Sequence, residues 1–266
     1  MAVYNKAGSR IDEFLNLNYD ATILSVNHRG YSTVAPENTL PAYRLSKEMG
    51  FNYVETDVSF TSDGVAMLLH DATIDRTSNG SGALGSMTYD QVRQYDFGSW
   101  KGPEYAGTVI PTLAEFLALC KDIMLFPYIE LKNNETYTEA QIQGIVDEVK
   151  AAGMAGKVTY ISFSSTYLGY VKNYDPAARL GFLKTTAASG DVSTVNGLKT
   201  GQNTVFLDTK YTNLTTSALN AFIAAGIPVE VYTVDSAADI LALPGYISGI
   251  TSDNQIAGKV LYEANK

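Results

Sequence analysis

Short apolar, β-branched runs alternate along most of the chain with stretches whose apolar residues recur every three to four positions. The runs predict strands and the wider spacing predicts helices between them. Strands are expected at 23–27, 53–60, 125–131, 158–163, 179–183, 204–208, 228–232 and 247–250. Helical patterns follow at 39–49, 112–121, 137–152, 165–174, 191–199, 215–225, 236–243 and 254–263, after a helical lead-in over 1–20. Thr39, with Pro41 in the first turn, marks one helix start, and Thr112-x-x-Glu115 marks another as a capping box.

Thr61-Ser62-Asp63-Gly64 is a tight-turn signal, so a further β run at 65–70 folds back antiparallel on 53–60. That fold-back brings His70 to within about one position of Thr56, where opposed residues lie roughly 5 Å apart. Residues 72–108 are rich in Gly, Ser, Asp and Tyr and lack a clear period, which predicts an irregular excursion with one short helix near 88–95. Eight βα units in about 250 residues are what a closed α/β (β/α)₈ or TIM barrel needs. The hairpin strand and the excursion are then a small insertion. No G-x-G-x-x-G follows the first strand, which disfavours an open doubly wound sheet. No linker or charge run divides the chain, so one domain over 1–266 is expected.

Composition narrows the picture little. Of 266 residues, 45% are hydrophobic and 18% charged, with a mean hydropathy of −0.04, as in ordinary globular proteins. A net charge of −9 argues against nucleic acid as a partner. The lone Cys120 falls in an apolar helical run and predicts a buried thiol, not a disulfide framework. No run is long and apolar enough for membrane insertion, and the N-terminus lacks the zones of a signal peptide. The chain as given predicts a cytoplasmic protein, with export after removal of a signal as the alternative. Nothing in the sequence fixes an oligomeric state.

The chemistry concentrates between residues 28 and 71. The only two histidines, His28 and His70, stand there with Glu55 and Asp57, whose spacing puts both carboxylates on one face of a strand. A barrel collects functional groups at the C-terminal ends of its strands. His28-Arg29, Glu55 and Asp57, Glu130 and Lys132, Phe163, Lys184, Asp208 with Lys210, and Tyr232 all fall at such ends. Glu55, Asp57 and Glu130 offer three hard oxygen donors, suited to Mg²⁺ or Ca²⁺. Acids at strand ends also serve as helix caps or solvated loop charges, but an acid pair inside an apolar strand is costly without a cation. The histidines suit general acid and general base, and Arg29 and Lys132 suit a phosphate. Glu37-Asn38 either orients Arg29 and its loop or caps the following helix. Phe163 and Tyr232 would line the pocket. Trp100 belongs either to a lid or to a satellite apolar cluster. G-x-S-x-G, Walker A and C-x-x-C motifs are absent.

At these residues the sequence resembles the glycerophosphodiester phosphodiesterase family of TIM barrels. The matching pieces are H-R-G (28–30), P-E-N-T (36–39), E-T-D (55–57), S-D-G (62–64) and H-D (70–71). I-D-R-T-S-N-G-S-G (74–82), G-S-W (98–100), I-P-T-L (110–113), E-L-K (130–132), V-Y-T-V-D (231–235) and G-I-T-S-D (249–253) follow in family order. The resemblance implies His28 and His70 as the acid/base pair and Glu55, Asp57 and Glu130 as ligands of a divalent cation. It implies Arg29 and Lys132 as phosphate contacts and the 72–108 insertion as a cover for the site. The substrates implied are small-molecule glycerophosphodiesters such as glycerophosphocholine, cleaved to sn-glycerol 3-phosphate and an alcohol. Three positions depart from frequent family residues: Pro36 replaces an acid, Tyr232 a tryptophan and Asp235 an asparagine. Two rival expectations stand beside this one. The first is a phospholipase D acting on lysophospholipids or sphingomyelin, and the second is a protein that binds a phosphodiester without turning it over.

Overall fold

Parallel strands that are buried on both faces need apolar residues on both, and this chain supplies them as near-continuous runs. The computed structural model describes residues 23–132 and 136–254. Eight parallel strands run through it: β1 (Leu24–Asn27), β2 (Tyr53–Phe60), β4 (Phe126–Leu131), β5 (Thr159–Ser162), β6 (Arg179–Lys184), β7 (Val205–Lys210), β8 (Val229–Tyr232) and β9 (Ile247–Ser252). β1 pairs with both β2 and β9, so the sheet closes on itself as a TIM barrel. β3 (Ala66–Leu68) is the antiparallel addition to β2. Helices α1 (Leu40–Glu48), α3 (Leu113–Ile123), α4 (Glu139–Ala151), α5 (Ser165–Tyr174), α6 (Asp191–Gly197), α7 (Thr216–Ala224) and α8 (Ala237–Ala242) surround it. The helices expected at 1–20 and 254–263 lie outside the described residues, Asn254 apart.

Outward-facing Val54, Val58, Ile129, Leu131, Leu180 and Leu207 pack against the apolar stripes of the helices. On α3 that stripe is Leu113, Phe116, Leu117 and Cys120, at the spacing of one helical face. Cys120 is buried there, and burial pushes its thiol far above the usual range. Inside the barrel a separate cluster of Val26, Tyr128, Ile161, Leu183 and Phe206 fills the middle. Gly249 makes room in this layer, because a Cβ on it would come within 2.6 Å of the Glu230 carboxyl carbon.

The insertion after β3 holds its own apolar cluster of Met67, Leu69, Ile74, Leu84, Val92, Phe97 and Ile110. Its short helix is the single turn α2 (Tyr89–Val92), started by a Thr88–Gln91 capping box. Trp100 stays outside that cluster. It is 40% exposed, its Nε1 donates to the Phe97 carbonyl, and it borders a groove with Ser32, Thr33, Arg76, Lys101 and Asp253. The Thr112–Glu115 capping box opens α3 as the spacing requires. Thr39 takes the N-cap position of α1 but makes no side-chain cap; its hydroxyl donates instead to the Pro36 carbonyl at 2.5 Å. Among the described residues no helix is long and apolar enough to cross a membrane.

Candidate active site

Register brings the chemistry together. Asn27 pairs with Val54 on one side and Ser252 on the other, so the next residue, His28, emerges between β2 and the end of β9. Asp57 lies directly opposite Glu130 in the β2–β4 ladder. Val58 opposes Leu68 in the hairpin, and the Leu69 amide donates to the Asp57 carbonyl at 3.0 Å. His70 follows at once, level with Glu55 and Asp57. All of this happens at the C-terminal mouth of the barrel.

Each histidine is held at Nδ1 by its own carboxylate, His28 by Asp253 at 2.6 Å and His70 by Asp71 at 2.8 Å. Such a partner fixes the ring and leaves Nε2 for other work. His28 Nε2 lies 3.8 Å from Glu55. Burial alone would lower the His28 imidazole, but Asp253 and Glu55 outweigh it and raise the group. Burial also lowers His70, and there the nearby cations Arg29 and Lys132 keep it low against Asp57 and Asp71. The loop carrying Asp253 is pinned by Asp235, whose Oδ1 accepts the Asp253 amide at 2.8 Å and the Ser252 hydroxyl at 3.0 Å.

The three acids form one buried cluster, with one oxygen of each of Glu55, Asp57 and Glu130 lying within 4.8 Å of the others. Asp57 is the saturated member. Lys132 Nζ donates to its Oδ1 at 3.1 Å and Asn38 Nδ2 to its Oδ2 at 2.9 Å. Burial would raise its pKa, but Lys132, Arg29 and His70 hold it below the usual carboxylate range. Glu55 accepts the Arg29 amide on Oε2 at 3.0 Å, while its Oε1 is buried without a partner. Glu130 Oε1 is likewise unpartnered; Lys132 Nζ comes within 3.2 Å but off hydrogen-bonding geometry. Burial and the Asp57 charge push both glutamates up. Two carboxylate oxygens without hydrogen bonds beside a third acid fit a hard divalent cation.

Arg29 adopts a left-handed backbone at φ 57°, which turns its amide onto Glu55 and its side chain onto Glu37. Gly30 follows at φ 79°, packed so closely on α1 that a Cβ would meet Ala42 Cβ at 2.7 Å. Glu37 spans Arg29 and Arg76, the latter through two contacts of 2.7 and 2.8 Å. Asn38 lies at φ 55° and collects Tyr43, Thr56 and the Asp57 amide on its Oδ1. Neither Glu37 nor Asn38 caps α1; both brace the site. Arg29 and Lys132 thus rest on the acid cluster.

Phe163 and Tyr232 face each other across the mouth, with ring centroids 6.3 Å apart, and line an open cavity of about 240 Å³. His28, Arg29, Glu55, His70, Glu130 and Lys132 border it on one side, and Asp208, Thr233 and Thr251 add to the polar lining. The strand-end pattern reaches Asp208 without giving it a role, and it assigns no site role to Asp71, Arg76, Asp235 or Asp253. Asp71 had a visible signal in its adjacency to His70. Asp253 had only its place at the end of the last strand, which closure sets beside the first.

The fold and this mouth define a TIM barrel with a buried acid cluster between two carboxylate-braced histidines. The profile of the glycerophosphoryl diester phosphodiesterase family matches residues 28–256, and the chain belongs to that family. A glycerophosphodiester phosphodiesterase from Caldanaerobacter subterraneus is 33% identical over 60% of this chain and 66% of its own length. Glycerophosphodiester phosphodiesterase 1 of Mus musculus is 38% identical over 47% of this chain, but over only 39% of its own. The chain therefore spans less than two thirds of these curated relatives. Among solved structures, a glycerophosphodiester phosphodiesterase from Agrobacterium tumefaciens superposes with a TM-score of 0.73 at 26% identity, covering 92% of this chain and all of its own. An Oleispira antarctica phosphodiesterase, solved with the product sn-glycerol-3-phosphate, gives 0.79 at 24% identity over 90% of this chain and 96% of its own, a likeness of fold.

Proposed function

We propose that this protein hydrolyses glycerophosphodiesters such as glycerophosphocholine to sn-glycerol 3-phosphate and an alcohol, with a divalent cation held by Glu55, Asp57 and Glu130. The observation that carries the reading is the pair of histidines, each braced at Nδ1, on either side of an acid cluster with unpartnered oxygens. The names of the relatives point the same way.

When bound, Mg²⁺ or Ca²⁺ would supply positive charge to the phosphoryl oxygens, the main electrostatic demand of the reaction. Arg29 and Lys132 contribute to the same end from the β1 and β4 sides of the cavity. The braces Glu37 and Asn38 hold Arg29 and Asp57 in place, so little reorganisation accompanies the reaction. One histidine takes the proton of the attacking hydroxyl, from water or from the glycerol 2-position. The other gives a proton to the leaving alcohol. Phe163 and Tyr232 wall the cavity in which the diester lies.

Metal-stripped protein is incubated with glycerophosphocholine, and glycerol 3-phosphate release is followed as Mg²⁺ or Ca²⁺ is returned. Release that depends on the cation is the expected outcome and ranks the two ions. Absence of release with either ion sinks the reading. Release of lysophosphatidate and choline from lysophosphatidylcholine instead would make the protein a lysophospholipase D.

A further inference from the structure

Asp208 has no part in the chemistry above, yet it lines the same cavity. It sits on β7 between Leu183 of β6 and Glu230 of β8, and only 1% of it is exposed. Its Oδ1 is buried without a hydrogen-bond partner among the described residues. Its neighbour Glu230 takes Arg179 and the Tyr128 hydroxyl as bonding partners, so Arg179 acts on Asp208 through its charge alone and makes no bond to it. A buried carboxyl without a partner needs an explanation, and packing gives none.

Its place in the ring supplies one. β7 is four strands from β2 in either direction, so Asp208 faces the acid cluster from the opposite wall. It lies outside the group of acids close enough to share a cation. Phosphate is ruled out as its partner, because the cavity's cations Arg29 and Lys132 stand on β1 and β4. A ligand whose phosphate lies at those cations reaches the β7 wall with whatever is attached to the phosphate. The wall there is apolar, formed by Ile161, Phe163, Leu183 and Tyr232, with the Asp208 carboxyl set in it. Burial, with the charges of Glu230, Glu130 and Glu55 behind it, outweighs the charge of Arg179 and pushes that carboxyl far above its usual range. A protonated carboxyl has one donor and one acceptor, which matches a hydroxyl group.

We propose that Asp208 is a specificity-determining residue that hydrogen-bonds a hydroxyl of the substrate moiety occupying the cavity, and so selects a polyol over an alkyl alcohol. This rests on the phosphodiesterase reading, with the glycerol as that moiety. A site built to bond a hydroxyl discriminates strongly against the analogue that lacks it, because its own polar group is then left unpaired.

The test compares glycerophosphocholine with its analogue in which propane-1,2-diol replaces glycerol, keeping the 2-hydroxyl and losing the terminal one. Wild-type protein should favour the glycerol compound by about tenfold or more in kcat/KM. Asp208→Leu should bring the ratio to within about twofold, with the loss mainly in KM, and Asp208→Asn, which keeps a donor and an acceptor, should preserve it. Folding is followed by circular dichroism, and Asp208→Ala carries the same comparison should the leucine variant fail to fold. A merely structural role would lower turnover of both diesters equally and leave the ratio at its wild-type value, which overturns the assignment. Equal use of the two diesters by the wild type overturns it as well. Wild-type protein that cleaves neither diester sinks the phosphodiesterase reading itself, a separate result.

Discussion

Glu230 and Glu130 both point into the same barrel, both are buried, and burial raises the carboxyl of each. They differ in what surrounds them. Glu230 bonds Arg179 and the Tyr128 hydroxyl, and Arg179 in turn stacks over Phe206 at 4.1 Å and bonds Tyr128 at 2.6 Å. Every oxygen of that acid has a partner. At the mouth, Glu130 and Glu55 each keep an orphaned oxygen beside a third acid. The lower pair is closed by its hydrogen bonds; the upper cluster keeps unbonded oxygens and could hold a divalent cation. The same residue type in the same barrel has its bonds completed by the protein at one level and left for a ligand at the other in the proposed function.

The largest effect that could break this contrast is at the mouth. Glu130→Ala should reduce turnover by about 10³-fold or more, while urea unfolding shows stability unchanged or higher, since a buried like charge is gone. A marked loss of stability would mean that the mouth acids hold the fold as the lower pair does. Next, His28→Ala and His70→Ala should each lower turnover by roughly 10²-fold. Near-normal steady-state rates in either variant remove that histidine from the proton transfers.

Arg179→Met reverses the pattern. It leaves Glu230 buried without its cation, and we expect a stability loss of about 2 kcal/mol by urea titration, below the range for fully buried pairs because the arginine side chain is a quarter exposed. Turnover should stay within a few-fold.

The smallest effect concerns Asp208 and its pH dependence. Its folded-state pKa lies well above the unfolded value of about 4, so the folded protein holds a proton that the unfolded chain releases, and stability falls as pH rises past that value. Asp208→Asn removes that contribution to the slope, while the raised Glu55, Glu130 and Glu230 keep theirs. The variant should match wild type near pH 4 and exceed it increasingly toward neutral pH in thermal unfolding. Parallel curves for the two proteins would show that Asp208 ionises normally.

Much of this was legible in one dimension. Strand and helix periods, the hairpin turn and the Thr112–Glu115 box depend on neighbouring residues, and so do the shared face of Glu55 and Asp57 and the approach of His70. Other features were not. Thr39 looked like a cap because its residue type and position fit, but the left-handed turn at Asn38 brings its hydroxyl to the Pro36 carbonyl instead. The aromatic surroundings of Trp100 suggest a satellite cluster or a lid, and the cluster forms without it.

The order of βα units and the polar strand ends were set by the sequence itself, because periodicity and turn chemistry act over a few residues and survive without the rest of the fold. Which carboxylates would be paired and which left open was decided only in three dimensions. Closure of β1 on β9 put Asp253 against His28 across 225 positions, and the register of β6, β7 and β8 put Arg179 under Glu230 across 51. Ring closure and register set those distances, and a hydrogen bond exists only where two groups end within about 3 Å, whatever their separation along the chain.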